Sequence, residues 1–398
     1  MSPLILLGLV GFGLFAVAVN QDNYTSSDDD DGSGEGDDTA AEDTDTGGSF
    51  DFDTGDDTGG GTPTDEEDPG EEDPGDVTAG GMLTGTDGPD TISLDGPAGP
   101  GLDISTGAGD DLIDLYDGTT DPVELEAQLL DGARVSGGDG NDLIDAHTID
   151  STLTGDAGND TISGRHDGAS IDAGTGDDLV SIASSEGSAG SDIQGGDGAD
   201  TISALMDGGR VDGGAGNDLL FANPSATSPT EVDGGDGSDQ IVINAVTPPI
   251  QQWEAGVQVT GGDGADIFDL IVAPGGIDLS DTPPASVSTL ADGTVQVDIG
   301  TITDFSAGED LLLIDGTTNA NQFTLAAIEL EETAPSGAAP LSTVVRLVYE
   351  IDSTDVANRD VILTLSGASG LTADDVIVTG AGTSPVPLNF LSRGAAAA

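Results

Sequence analysis

The 398-residue sequence predicts an all-β fold. Its centre is a parallel β-roll or β-solenoid of nine-residue steps, 18 residues to a coil, followed by a β-rich C-terminal region and preceded by a disordered acidic spacer. Three observations predict this. A Gly-rich hexad ending in Asp occurs nine times, aliphatic residues fall nine apart between the hexads, and no long amphipathic helical pattern appears.

Five hexads read GGxGxD in full, at 137–142, 195–200, 213–218, 234–239 and 261–266. Four carry one substitution at the first or second Gly and end at Asp90, Asp111, Asp160 and Asp178. The apolar ladder runs Val135, Ile144, Leu153, Ile162, Ile171, Val180, resumes as Ile193, Ile202, Val211, Leu220, and again as Val232, Ile241, Ile250, Val259, Phe268, Ile277. A step of nine fits neither a helical heptad nor a hairpin. It suits a strand of about three residues and a tight turn of about six, with two strands completing one coil. The hexads return with a basic period of 18, which stacks the Gly-Asp turns on one edge. Insertions at 119–134, 183–192 and 223–231 fall on the other edge.

Four segments follow from composition. Residues 1–20 are apolar and read as a signal or a membrane anchor, although no cation precedes them. Residues 21–80 hold 23 acids and no cation, a disordered acidic linker. Residues 81–277 form the repeat domain, and 278–398 a β-rich flank of alternating strands.

The net charge is −71, with six arginines as the only Lys or Arg cations. Nucleic acid is therefore not a partner, since its binding needs a basic footprint. There is no cysteine, which removes disulfides, thiol nucleophiles and the usual zinc or iron–sulfur sites. The two histidines, His147 and His166, belong to no H-E-x-x-H motif and read as solvated turn residues on the hexad-free edge. No G-x-S-x-G elbow is present. The protein reads as no enzyme. The enzymatic alternative is a calcium-dependent polysaccharide lyase or epimerase on a parallel β scaffold, in which Arg134, Arg165 and Arg210 would cluster on the variable edge. Otherwise each of these is a surface cation. Trp253 reads as a cap over the solenoid's end.

The hexads carry their own chemistry. Glycines permit a tight turn through positive φ and leave carbonyl oxygens facing a common point, and the final Asp adds a carboxylate. Stacked about 4.8 Å apart, such turns offer an all-oxygen site that suits calcium and fits magnesium poorly. Without a cation the stacked carboxylates would repel one another. The alternative is a metal-free β-helix whose Gly-Asp turns are merely solvated.

The hexad and the three residues after it, as in GGDGNDLID at 137–145, resemble the RTX, or hemolysin-type, calcium-binding nonapeptide. The segment ITDFSAGED at 302–310 is similar to one that follows the repeats in serralysin-like secreted proteins. The resemblance implies a parallel β-roll holding several Ca2+ ions, about eight for nine stacked turns. It makes Asp90, Asp111, Asp142, Asp160, Asp178, Asp200, Asp218, Asp239 and Asp266 the side-chain ligands. Preceding turn residues, among them Gly137, Asp139, Gly155, Gly195, Asp197, Gly213, Gly234, Asp236, Gly261 and Asp263, would supply further oxygens. It also implies bacterial export by type I secretion machinery to the exterior or the cell surface. A structural or adhesive role there, with a cell-surface or polysaccharide partner, is the corresponding expectation.

Overall fold

The structure is a computed structural model that describes residues 49–53, 81–95, 100–115, 129–184, 190–206, 208–222, 230–246, 256–273, 287–315, 323–333, 341–351, 358–379 and 386–391. The apolar segment 1–20, Ile250, Trp253, Ile277 and all of the acidic linker except Ser49–Asp53 lie outside the described residues. Among the described residues there is no helix, and every strand belongs to one of two sheets, of 13 and 15 strands.

The chain alternates between them. Arg134–Asp139 lies in the second sheet, Leu143–Ile149 in the first, and Thr152–Ala157 in the second again. Each strand pairs in parallel with its counterpart one coil away, Thr161–Asp167 with Leu143–Ile149 for example. In the first sheet this register stacks Ile92, Ile113, Ile144, Ile162, Val180, Ile202, Leu220, Ile241, Phe268 and Leu312. In the second it stacks Leu83, Ile104, Val135, Leu153, Ile171, Ile193, Val211, Val232, Val259 and Ile302. All but Leu83 are buried, and the two rows form one core. Small aliphatic side chains suffice because each of these short strands contributes few inward residues, three in Leu143–Ile149 for example, to a thin interior.

Two expectations change at this level. Ile250 is not a step of the ladder. Val232 registers directly with Val259 and Ile241 with Phe268, so no rung remains between them. The nine extra residues there are an insertion between coils. The stack also crosses residue 278 without a break, because Val295–Ile302 pairs with Val257–Asp263 and Leu311–Asp315 with Ile267–Ala273.

Beyond that coil the second sheet continues through Arg359–Ser366, Ser342–Ile351 and Phe323–Thr333, where the pairing turns antiparallel, and ends at Leu388–Leu391. At the other end Ser49–Asp53, from within the acidic tract, pairs in parallel with Thr91–Asp95.

Candidate metal edge

Every hexad joins a strand of the second sheet to one of the first, so all nine turns lie on one edge. Register puts the second hexad residue of each coil over its counterpart: Gly107 over Gly138, and Gly174, Gly196, Gly214, Gly235 and Gly262 in succession. These glycines have φ between 99° and 113°. A Cβ on Gly196 would also collide with the carbonyl oxygen of Gly174 in the neighbouring coil. Both conditions exclude a side chain at most coils. Among the hexads only Thr86 and Asp156 replace this glycine, and Asp156 keeps a positive φ of 76°, with its carboxylate accepting from the Ser136 hydroxyl at 2.5 Å and the Thr154 hydroxyl at 3.2 Å.

The hexad aspartates form one continuous row. The Asp90 amide donates to Oδ1 of Asp111 (2.8 Å), the Asp111 amide to Asp142 (2.8 Å), Asp142 to Asp160 (2.7 Å) and Asp160 to Asp178 (2.7 Å). The row runs on through Asp200, Asp218, Asp239 and Asp266 at 2.8–3.0 Å. It then reaches a tenth member, Asp310, whose Oδ1 accepts from the Asp266 amide at 3.0 Å. None of the ten is more than 6% exposed.

One oxygen of each carboxylate after Asp90 is used in this way. The other, Oδ2, is buried without a hydrogen-bond partner at Asp111, Asp142, Asp160, Asp178, Asp200, Asp218 and Asp239. At Asp142, Asp160, Asp200, Asp218 and Asp239 it lies against the first glycine of its own hexad, whereas the hexads of Asp111 and Asp178 begin with Thr106 and Ala173. A methyl group on Gly213 would sit 2.5 Å from Oδ2 of Asp218 and 2.5 Å from the carbonyl oxygen of Gly234, one coil on. The carbonyls of Ala173, Gly213 and Gly261 stand in the same relation to Asp160, Asp200 and Asp239. A carboxylate oxygen and a carbonyl oxygen thus converge repeatedly on a space that only glycine leaves open.

Burial pushes these carboxyls up, to about 7 at Asp160 and Asp200 and about 6 at Asp142, Asp239 and Asp266. The amide bond from the preceding coil opposes the shift, and neighbouring carboxylates reinforce it. Asp178 and Asp218 are raised by the same burial.

An orphan buried acceptor, all-oxygen surroundings and a raised pKa fit a hard cation that takes carbonyls as well as carboxylates. They do not fit zinc or another metal needing several side-chain ligands. Among the described residues no three His, Cys, Asp or Glu side chains group to hold a metal ion. The carboxylates are strung one per coil, so main-chain oxygens would have to complete each shell.

The other expected residues separate in the structure. Side chains of Asp139, Asp197, Asp236 and Asp263 are exposed, away from the buried row. Their carbonyls accept the amides of Gly109, Gly176, Gly216 and Gly237 at 2.7–2.8 Å. The Gly137 carbonyl accepts from the Thr106 hydroxyl at 2.5 Å. A second, exposed row lies beside the first and runs in the opposite sense: the amides of Asn141, Asn159, Asp177 and Ala199 donate to Oδ1 of Asp110, Asn141, Asn159 and Asp177.

On the opposite edge the histidines depart from expectation. Both lie in strands, not turns, and His166 is fully buried. Its Nδ1 is 2.8 Å from the Thr148 hydroxyl, and burial lowers its pKa to about 4. It is an interior residue because alternation in Thr161–Asp167 turns it into the coil. The arginines form no cluster. Arg134 and Arg210 head second-sheet strands four rungs apart, through Thr152, Ser170 and Asp192. Arg165 is in the first sheet beside Asp167 (3.5 Å), while Arg210 bridges Asp212 (2.8 Å) and Asp233 (2.9 Å).

Asp310 and Thr106 are the residues that the hexad pattern did not single out as part of this edge. The signal for Asp310 was Gly308-Glu309-Asp310, a hexad ending without its leading glycines. In comparisons with known proteins, no family model and no curated protein matches the chain.

Proposed function

We propose that the chain is a calcium-binding solenoid whose Gly-Asp edge takes up ions between stacked turns and whose folding depends on that uptake. The carrying observation is the buried row of carboxylates, each with one oxygen satisfied by an amide and, at seven positions, the other unpartnered. A buried unpaired acceptor costs about 1–3 kcal/mol, more when charged, and a divalent cation removes that cost along the row. Asp142, Asp160, Asp200, Asp218 and Asp239 would hold the ions through Oδ2, with carbonyls such as those of Gly213, Gly234 and Gly261 completing the shells. The ion supplies charge neutralisation and a link between coils, and no reaction.

The resemblance to RTX repeats supports calcium as the ion and export by type I secretion, and with export a location outside the cell or on its surface. Extracellular calcium modules bind with dissociation constants of roughly 10⁻⁴–10⁻³ M, so cytosolic calcium leaves such a roll unloaded. At about ten times the dissociation constant, each site adds roughly 1.4 kcal/mol to folding. The role is structural or adhesive: an acidic solenoid preceded in sequence by an apolar and an acidic segment. The lyase reading is less favoured, because Arg165 lies on a different sheet from Arg134 and Arg210, which are four rungs apart.

Circular dichroism of the full chain in calcium and in EGTA tests this. The β signal is expected to collapse on chelation and return with calcium, but not with an equal ionic strength of NaCl. A β-rich spectrum and an unfolding midpoint indifferent to the chelator overturn it.

A further inference from the structure

The ten rungs of the carboxylate row are not equivalent, and the difference lies in what surrounds Oδ2. At Asp90 and Asp310 this oxygen is already taken. The Thr86 amide donates to Oδ2 of Asp90 at 2.5 Å, and the Ser306 amide to Oδ2 of Asp310 at 2.7 Å. Thr86 and Ser306 each occupy the second hexad position and, unlike the residues there in the intervening coils, do not adopt positive φ. Their amides therefore point at the carboxylate. In the coils between, Gly138, Asp156, Gly196, Gly214 and Gly235 have φ from 76° to 113°, and Oδ2 is left without a partner. Phe305 adds a second closure at the last rung. It stands at the first hexad position, where seven of the nine hexads keep glycine, and its ring packs 5.7 Å from that of Phe268.

The Asp111 rung is blocked differently. Its first hexad residue is Thr106, fully buried, and the hydroxyl donates to the Gly137 carbonyl at 2.5 Å. That carbonyl corresponds by position to the Gly234 oxygen that faces Asp218 across an open space. Thr106 fills with carbon and a hydroxyl the space that Gly213 leaves empty.

We propose that the rungs at Asp142, Asp160, Asp200, Asp218 and Asp239 take cations, whereas Asp90, Asp111 and Asp310 are shut and serve as ion-free ends of the row. This rests on the reading of the edge as a calcium-binding row and states which of its members bind. Closing the ends from within the chain caps the charge ladder without an ion at its first and last rungs.

Counting ions by native mass spectrometry on the full chain in calcium tests the assignment, with far-UV circular dichroism confirming that each variant is folded. Asp90→Asn and Asp310→Asn are expected to keep the wild-type count. Asp200→Asn and Asp218→Asn are each expected to lose at least one ion, and Thr106→Gly to gain one. The gain arm stands even if a loss variant fails to fold. A wild type that binds calcium but loses an ion in Asp90→Asn, or gains none in Thr106→Gly, overturns the assignment and leaves the calcium reading intact. A wild type that binds no calcium overturns both.

Discussion

The two edges of the coil are built from the same strands in the same register, yet they satisfy their buried polar groups differently. On the hexad-free edge, Ser151 Oγ accepts the Ala133 amide at 3.0 Å and donates to the Leu130 carbonyl at 3.1 Å. Ser191 repeats the arrangement, accepting from Ala169 and donating to His166, both at 3.1 Å. A hydroxyl is donor and acceptor at once, so such a row closes on itself. A carboxylate only accepts. The backbone offers it one amide per coil, and one oxygen is left over. The lesson is that a stack of identical turns can be complete or incomplete according to the hydrogen-bonding valence of a single residue type.

That contrast can be broken at its backbone first. Gly196→Ala puts a Cβ at φ 113° and against the Gly174 carbonyl, with an expected loss of about 3 kcal/mol measured by denaturant unfolding in calcium. An unchanged midpoint would mean that the hexad edge is not close-packed.

Acid should act on the opposite edge through His166. Its folded pKa of about 4 lies below the 6.5 of the unfolded chain, chiefly through burial and slightly through His147, with Asp167 and the Ser163 carbonyl opposing. Its contribution is therefore fully present above pH 6.5 and is lost as pH falls toward 4. Between pH 7 and pH 5 the wild type should lose about 2 kcal/mol more than His166→Asn. Equal losses would place a charged His166 in the fold.

The leftover oxygen itself is probed by Asp200→Asn, which keeps an acceptor for the Asp178 amide and removes the charge. At limiting calcium, where the wild type is only partly folded, the variant should be more stable than wild type by about 1 kcal/mol, and at saturating calcium less stable. A variant less stable in both conditions would show that the carboxylate is no burden without its ion.

The smallest effect belongs to a turn of the hexad-free edge. Asp150 sits at φ 49°, between Gly132 (66°) and Gly168 (69°) in the adjacent coils. Asp150→Gly should raise stability by about 0.5 kcal/mol in thermal unfolding, at limiting and at saturating calcium alike. A calcium-dependent response would mean that the two edges are coupled.

Much of this was legible as one-dimensional pattern. The 18-residue coil, the paired aliphatic rows and the segregation of hexads and insertions to opposite edges all follow from spacing, because in a solenoid each residue's neighbours are fixed by the period. Spacing misled where an aliphatic residue kept the period without keeping a place, as at Ile250, whose rung the Val232–Val259 register had already closed. It misled again at His166, where composition suggested a solvated turn and strand alternation buried the ring. Those nine Gly-Asp turns on a shared edge, and the carboxylate row they imply, are thus a property of residue order alone. Which oxygen of each carboxylate meets an amide, where a glycine leaves space beside it, and where Thr86, Thr106 or Ser306 closes the rung instead were decided only by the fold. Hydrogen-bond direction depends on φ and on the coil next door, and neither is written in the identity of the aspartate.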